Sequence, residues 1–141
     1  MKHLKKFNES LQTNEVDELK DFCETSLAYL LDDGYKVSVS MMDKVKYPEK
    51  QHIIVSLGLM ETWGYQKFNW DDVKDYYIPF LQMLVRRYEL LPYLDEDTSH
   101  VYVQFNTAGG FRYLSLDQVI NDRTGLDCML WGINIKIVDK I

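Results

Sequence analysis

The sequence predicts a single α+β domain, with one mostly antiparallel sheet of four to five strands and two long helices packed on one of its faces. Two stretches of about 20 residues repeat apolar side chains at the three-and-four spacing of an amphipathic helix, whereas shorter stretches alternate apolar and polar residues as strands do. The segment between the first two predicted strands is too short for a helical crossover, so these two strands are expected to pair antiparallel. The predicted order is α-β-β-α-β-β-α-β.

The clearest helix spans residues 69–91, where Asn69 can cap the first turn and an acidic start suits the helix dipole. Pro79 interrupts this helix, because its ring cannot donate a hydrogen bond to the carbonyl of Asp75. The result is either a kink or two shorter helices, and we expect a kink because the apolar face continues in phase across the proline. That face comprises Val73, Tyr76, Tyr77, Phe80, Leu81, Leu84 and Tyr88.

The second long helix is predicted over residues 14–33, with Asn14 as its cap and Gly34 as the left-handed residue that ends it. One face of this helix is apolar and is expected to pack on the core. It comprises Val16, Leu19, Phe22, Cys23, Ser26, Leu27, Leu30 and Leu31.

Alternating segments predict strands at residues 35–43, 52–59, 100–106 and 111–114, followed by a final strand. In the final strand Met129, Trp131, Ile133, Ile135 and Ile137 alternate with other residues and are predicted to face inward. Residues 60–68 are ambiguous, because Gly64 could turn them back to extend the sheet. The exposed face of the sheet is predicted to carry Lys36, Ser38, Ser40, Ser56, Gln104, Asn134 and Lys136.

Two local motifs lie between these elements. Ala108-Gly109-Gly110 is typical of a tight hairpin turn between two strands. Ser115 and Gln118 form a predicted capping box for a short helix that ends before Gly125.

Composition restricts the class of protein. The chain has 141 residues, of which 46% are hydrophobic and 27% are charged, as expected of a folded globular domain. The net charge of −6 disfavours general binding of nucleic acids through phosphate neutralisation. No apolar run reaches the length of a membrane span. Cys23 and Cys128 lie among apolar residues and are predicted to be buried free thiols, compatible with a reducing cytoplasm.

No motif for catalysis, metal or cofactor binding emerges. The three histidines, His3, His52 and His100, are isolated, and neither cysteine has a ligand partner nearby. Residues 106–112 hold two glycines but no lysine, so they do not match a phosphate loop. We therefore expect no catalytic residue, no metal and no cofactor, and favour a protein that is not an enzyme, although dispersed residues could still meet in the fold.

The first ten residues, Met-Lys-His-Leu-Lys-Lys-Phe-Asn-Glu-Ser, carry three lysines and one glutamate. This opening resembles that of small, mostly uncharacterised tailed-bacteriophage proteins, and the matching residues are Lys2, Leu4, Lys5, Phe7 and Glu9. In relatives of the large myoviruses, similar leaders direct proteins into the prohead before a protease cuts after a glutamate. Val16-Asp17-Glu18 fits such a cut better than Phe7-Asn8-Glu9, but lies inside the predicted helix. We divide the chain into a leader or flexible terminus, residues 1–13, and one domain, residues 14–141.

These observations support hypotheses of different kinds. The first is a non-enzymatic phage protein acting by protein–protein contact, in the cytoplasm of an infected bacterial cell or inside the virion. The second is a small-ligand-binding domain, or an enzyme of unrecognised type, with a pocket between the sheet and helix 69–91 formed by Tyr76, Tyr77, Arg112 and Trp131. A third is a homodimer paired through an edge strand. Nucleic acid and membrane are not expected as partners.

Overall fold

The computed structural model describes residues 13–41, 50–61, 64–88 and 100–140. Within them the α+β class is confirmed. The helices are α1 (Thr13–Ser26), α2 (Ala28–Asp32), α3 (Trp70–Tyr88) and α4 (Leu116–Ile120). The strands are β1 (Tyr35–Met41), β2 (Lys50–Glu61), β3 (Gly64–Gln66), β4 (His100–Thr107), β5 (Gly110–Ser115) and β6 (Leu130–Lys140).

The strands form one antiparallel sheet in the order β1-β2-β6-β4-β5, with β3 paired to the end of β2. The predicted β1–β2 pairing is confirmed. The last strand in the chain, β6, inserts between β2 and β4 and occupies the centre of the sheet. The sheet therefore has six strands rather than four to five, because the ambiguous segment before α3 does return to it as β3.

The core lies between one face of the sheet and the helices. Side chains that alternate along four strands are buried there: Tyr35, Ile53, Val55, Leu57, Val103, Phe105, Ile133, Ile135 and Ile137. The helices contribute Leu19, Cys23, Leu27, Leu30, Val73, Tyr77, Phe80, Leu81 and Leu84 to the same cluster. Edge-to-face ring contacts join the two layers, as between Trp70 on α3 and Phe105 on β4, whose ring centroids are 5.4 Å apart.

Helix α3 runs as one element through Pro79, which is exposed, so the alternative of two shorter helices is not observed. At its start the Asp72 carboxylate accepts a hydrogen bond from the backbone N–H of Asn69 at 3.1 Å. This satisfies a backbone donor that the helix itself leaves unpaired. Of the predicted apolar face, Val73, Tyr77, Phe80, Leu81 and Leu84 are buried, whereas Tyr76 is 43% exposed and packs on Tyr29.

The predicted helix 14–33 is divided into α1 and α2 at Leu27, whose φ of −109° and ψ of 23° are not helical. Helix-type hydrogen bonds still span the break: the N–H of Leu27 donates to the carbonyl oxygen of Cys23, and the N–H of Leu31 donates to that of Leu27, both at 3.0 Å. Gly34 follows with a φ of 96°, as its predicted role as the terminating residue requires.

The segment after α4 is tied to α3 by side chains. Asp122, at a φ of 54°, accepts a hydrogen bond from the indole N–H of Trp70 at 2.9 Å and another from the Lys74 ammonium at 3.3 Å. The indole N–H holds the pKa of Asp122 below its usual value, and Lys74 adds to the effect. Asp122 thus links the segment after α4 to the start of α3, which lies 48 to 52 residues earlier in the sequence.

Candidate binding face and groove

The side of the sheet opposite the helices is the candidate functional surface. The strand registers place on it, among residues with described side chains, Lys36, Ser38, Ser40, Ile54, Ser56, Gly58, Met60, Tyr65, Tyr102, Gln104, Asn106, Phe111, Tyr113, Ser115, Gly132, Asn134 and Lys136. Trp131 joins them through a bulge in β6. We call this set the open face, since no described helix or strand covers it. The residues predicted to lie on the exposed side of the sheet all belong to it.

The open face is rich in aromatic side chains for a surface exposed to water. Eight large apolar or aromatic side chains in the described segments are at least 40% exposed. Four of them belong to the open face: Tyr65, Phe111, Tyr113 and Trp131. Clustered exposed aromatic residues of this kind typically mark interaction sites, whereas single ones are ordinary.

Polar side chains form a row across the middle of this face. The register pairs Ser38 with Ser56, Ser56 with Asn134, Asn134 with Gln104, and Gln104 with Tyr113. Residues paired in this way lie on the same face of a sheet, so hydroxyls, amides and a phenol cross all five strands. The members of the row that solvent reaches, Ser38, Ser56, Asn134 and Tyr113, offer both donors and acceptors of hydrogen bonds to a partner.

Next to this row, two glycines form the floor of a groove. Gly58 on β2 and Gly132 on β6 carry no side chains, so the backbone itself forms the bottom of a depression of about 370 Å³. The ring of Tyr65 lies over Gly58 so closely that a Cβ there would be 2.8 Å from Cε1 of the ring. Trp131 is the other aromatic wall. The polar lining consists of Lys36, Ser38, Ser56, Asn106 and Asn134.

Trp131 lines the groove because of a β-bulge, and this corrects the predicted alternation of the last strand. Asn106 pairs with Gly132, but the next residue of β4, Thr107, pairs with Leu130, so Trp131 is an extra residue on β6. One inserted residue exchanges the faces of the side chains that precede it. Leu130 is therefore buried, whereas Trp131 and Met129 are 42% and 40% exposed. The predicted inward positions of Trp131 and Met129 are wrong, and those of Ile133, Ile135 and Ile137 are confirmed.

The buried side-chain amide of Gln104 fixes the orientation of the Asn106 side chain in the groove. Gln104 is 5% exposed, and its Nε2 donates to Oδ1 of Asn106 at 2.8 Å. Since Oδ1 of Asn106 is engaged, its Nδ2 is the group left for the groove, and this nitrogen lies 3.6 Å from the place of a Cβ on Gly132. The Oε1 of Gln104 is buried and accepts no hydrogen bond within the described residues. Asn106 therefore presents a donor above the glycine floor.

The electrostatic character of the open face is opposite to that of the chain. The protein has a net charge of −6, yet the described open-face positions include Lys36 and Lys136 and neither aspartate nor glutamate. The Lys136 ammonium lies 5.9 Å from the ring centroid of Tyr113, and Lys67 lies 5.1 Å from that of Trp131. The carboxylates of α1 and α3 lie on the helical side. The fold thus separates an acidic helical side from a weakly basic open face.

A second depression, of about 360 Å³, lies at the edge strand β5. Its lining is Tyr102, Tyr113, Leu114, Ser115 and Gln118. The rings of Tyr102 and Tyr113 meet edge to face at 5.4 Å. Burial, and then the proximity of Tyr113, raise the pKa of Tyr102, so its phenol stays protonated and able to donate at neutral pH.

The four residues predicted to form a pocket between α3 and the sheet are not brought together. Tyr77 is buried in the core, where burial raises the pKa of its phenol well above the usual value, whereas Trp131 is on the opposite side of the sheet. Tyr76 is exposed on α3. The Arg112 guanidinium donates to the backbone oxygens of Thr124 and Gly125 at 3.0 and 3.2 Å, so it holds the segment after α4. Among the four, only Trp131 lies in the groove.

The two thiols differ in their surroundings. Cys23 is buried, as predicted, and burial followed by the nearby Glu24 raises the pKa of its thiol to about 12, which makes it a poor nucleophile. Cys128 is exposed, so the prediction that it is buried is wrong. The apolar neighbours that suggested burial, Met129 and Trp131, are themselves turned outward beside the bulge.

The remaining predictions concern metal ligands, membrane-spanning helices and the leader, and only some of the residues involved lie in the described segments. In the described segments no three His, Cys, Asp or Glu side chains are grouped as metal ligands. No described helix has the length and hydropathy required to cross a bilayer. The leader residues Lys2, Leu4, Lys5, Phe7 and Glu9 lie outside the described residues. Residues 16–18, the better match to a cut site, are helical in α1, as predicted.

Comparison with models of protein families, with curated proteins and with solved structures finds no match. Evidence for function therefore comes from the geometry of the open face. Two sequence signals for the groove were missed. Gly58 and Gly132 both interrupt strands, where an isolated glycine indicates a bulge or the close approach of another group. Both meanings are observed, since Tyr65 lies on Gly58 and Gly132 follows the bulge at Trp131.

Proposed function

We propose that this protein is a non-enzymatic binding protein that contacts a protein partner through its open face. The observation that carries this proposal is the cluster of exposed aromatic residues on a sheet face without a described covering element. Tyrosine, tryptophan and phenylalanine are enriched in protein interfaces, where tryptophan and tyrosine often supply a large share of the binding energy. The interspersed amides and hydroxyls supply hydrogen bonds without the high desolvation cost of charged groups.

The dimensions of the face favour a small interface. Five strands spaced about 4.8 Å apart and about six residues long cover roughly 500 Å² in projection. Side chains add to this area, but it stays near the lower end of specific interfaces, which bury about 800 Å² on each partner. The proposal is therefore a reversible contact rather than an obligate complex.

The charge of the face argues against a second copy of the chain as its partner. A two-fold face-to-face dimer would place Lys36 and Lys136 of one copy against a surface that carries lysines and no described carboxylate. Such a pairing of like charges is unfavourable. A homodimer through the edge strands β1 or β5 would leave the open face free, and sedimentation across a range of concentrations distinguishes it from a monomer.

The resemblance of the first ten residues to phage leaders supports a proposal about where in the cell this contact takes place. We propose a role in the infected bacterial cell, either inside the virion or against a host factor. Deleting residues 1–10 and measuring incorporation into particles tests the virion version. Incorporation at the wild-type level after this deletion would contradict it.

Site-specific photocrosslinking tests the binding proposal. A photoreactive phenylalanine analogue replaces Tyr113 on the open face or, as a matched control, Tyr29 on the helical side; these side chains are 55% and 71% exposed. In the cells that make the protein, we expect a discrete crosslinked species from position 113 and none from position 29. Equal crosslinking from both positions, or crosslinking from position 29 alone, would contradict the proposal.

The groove favours a second candidate, the binding of a small ligand. Its volume of about 370 Å³ is at the lower end of the range of ligand pockets, and aromatic walls with convergent amides are typical of them. A ligand screen by thermal shift tests this candidate. A hit is expected to stabilise the wild-type protein but not a Trp131→Ala variant, and a hit that stabilises both equally binds elsewhere.

A further inference from the structure

Resting on the proposed function, we infer that the groove takes an extended, acidic segment of the protein partner, whose acceptor groups meet Lys36 and Asn106. The groove crosses the strands from Lys36 on β1 over the glycine floor to Asn106 on β4. Lys36 and Asn106 both carry donors, and Lys36 carries a positive charge. A carboxylate accepts from such donors in shorter, stronger hydrogen bonds than a neutral acceptor makes.

Three strand spacings separate β1 from β4 in the sheet order, which amounts to about 14 Å at 4.8 Å per spacing. An extended chain advances about 3.3 Å per residue, so a segment of four or five residues spans the groove. Its middle lies over Gly132, where the absence of a side chain lets another backbone approach closely, and passes beside the Tyr65 ring that covers Gly58. Tyr65 and Trp131 then form aromatic walls for an apolar side chain of the segment.

Asn106 makes the groove selective for groups that accept a hydrogen bond. Its Oδ1 is engaged by the buried Gln104, so it presents Nδ2, a donor, to the groove. An Asn106→Asp change keeps an oxygen in place to accept from Gln104 and exchanges only the groove-facing N–H₂ group for a carboxylate oxygen. The variant therefore reverses what the groove recognises and leaves the buried hydrogen bond intact.

Blocked pentapeptides titrated into ¹⁵N-labelled full-length protein test the inference. The probes are acetyl-Glu-Leu-Glu-Leu-Glu-amide, its glutamine analogue and its lysine analogue, with pentathymidylate as a polyanion that is not a peptide. We expect the glutamate peptide to shift the indole signal of Trp131 and the side-chain amide signal of Asn106. We also expect it to bind more tightly than the glutamine peptide, with no binding of the lysine peptide and weaker binding of pentathymidylate.

Matched variants locate the effect. Asn106→Asp and Lys36→Glu are each expected to weaken binding of the glutamate peptide at least about tenfold, because a donor is replaced by a like charge. Asn69→Asp and Lys20→Glu make the same chemical changes on the helical side and are expected to leave binding unchanged.

Three results would overturn the inference: equal affinity for the glutamate and glutamine peptides, unchanged affinity in Asn106→Asp, or pentathymidylate that binds as tightly as the glutamate peptide. The last would show that the groove recognises any polyanion. If these arms fail while position 113 still yields its crosslinked species, the open face remains the proposed interface and only the acidic character of the partner is refuted. Loss of both results would remove the proposed function as well.

Discussion

The contact of Trp70 with Asp122 provides a test of how the helices are held on the sheet. Trp70 is 4% exposed, and its indole N–H has the Asp122 carboxylate as its acceptor at 2.9 Å. In an Asp122→Ala variant this buried donor loses its partner, which costs about 1–2 kcal/mol when water can reach the vacated space. Alanine at a φ of 54° adds about 1 kcal/mol, because left-handed backbone is unfavourable for it. The expected total is about 2–3 kcal/mol.

Asp122→Asn is the matched control. Asparagine tolerates the left-handed conformation, and its Oδ1 can accept from the indole N–H, so the loss of stability is expected to stay below about 1 kcal/mol. Urea denaturation at 25 °C and pH 7, followed by circular dichroism, measures both changes in the free energy of unfolding.

A double-mutant cycle separates the hydrogen bond from the backbone effect. In a Trp70→Phe background there is no indole N–H to leave unpaired, so Asp122→Ala is expected to cost about 1–2 kcal/mol less than in the wild-type protein. Equal costs of Asp122→Ala in both backgrounds, or equal costs of the alanine and asparagine variants, would refute the assigned role of this contact.

Three further predictions concern pH, thiol chemistry and helix α3. Because the pKa of Asp122 is lowered in the folded protein, the stability that its ionised form contributes is present above about pH 4 and is lost as the pH falls through the folded pKa. Urea titrations from pH 7 to pH 2.5 should therefore show the stability difference between wild type and Asp122→Asn shrinking at the acidic end; a constant difference would contradict this. A thiol reagent should modify Cys128 in the native protein but reach Cys23 only after unfolding, so rapid native modification of both thiols would argue against the described core. Pro79→Ala should raise the free energy of unfolding by about 1 kcal/mol or more in the same urea assay. The reason is that an exposed proline is replaced by a helix former that restores a backbone donor. A destabilised variant would show that the helix depends on the geometry imposed by proline.

Local motifs in this chain were predictable because their causes lie within a few residues. The capping box is confirmed, since Oγ of Ser115 accepts from the N–H of Gln118 at 3.2 Å and the Gln118 side chain accepts from the N–H of Ser115 at 3.0 Å. The hairpin turn at residues 108–110 is confirmed as well, with Gly110 at a φ of 131°. Both depend on side-chain chemistry and backbone freedom that the sequence states directly.

The groove was harder to predict from the sequence, because its residues come from five strands and its shape depends on the pairing between them. Trp131 shows the limit most clearly: strict alternation predicts an inward side chain, and the bulge that turns it outward exists only in relation to β4. The orientation of Asn106 likewise depends on the burial of Gln104, two residues away on the same strand, and on the hydrogen bond between the two side chains.

The sequence by itself therefore determined the fold class, the two amphipathic helices, the alternation of most strands and the polar character of the open face. These properties follow from periodicity, because each element must bury one side and leave the other in water. Only the tertiary structure decided that β6 occupies the centre of the sheet, that two glycines meet as the floor of a groove, and that the described open face carries lysines but no carboxylate. These depend on strand order and register, which are set by contacts between residues far apart in the chain.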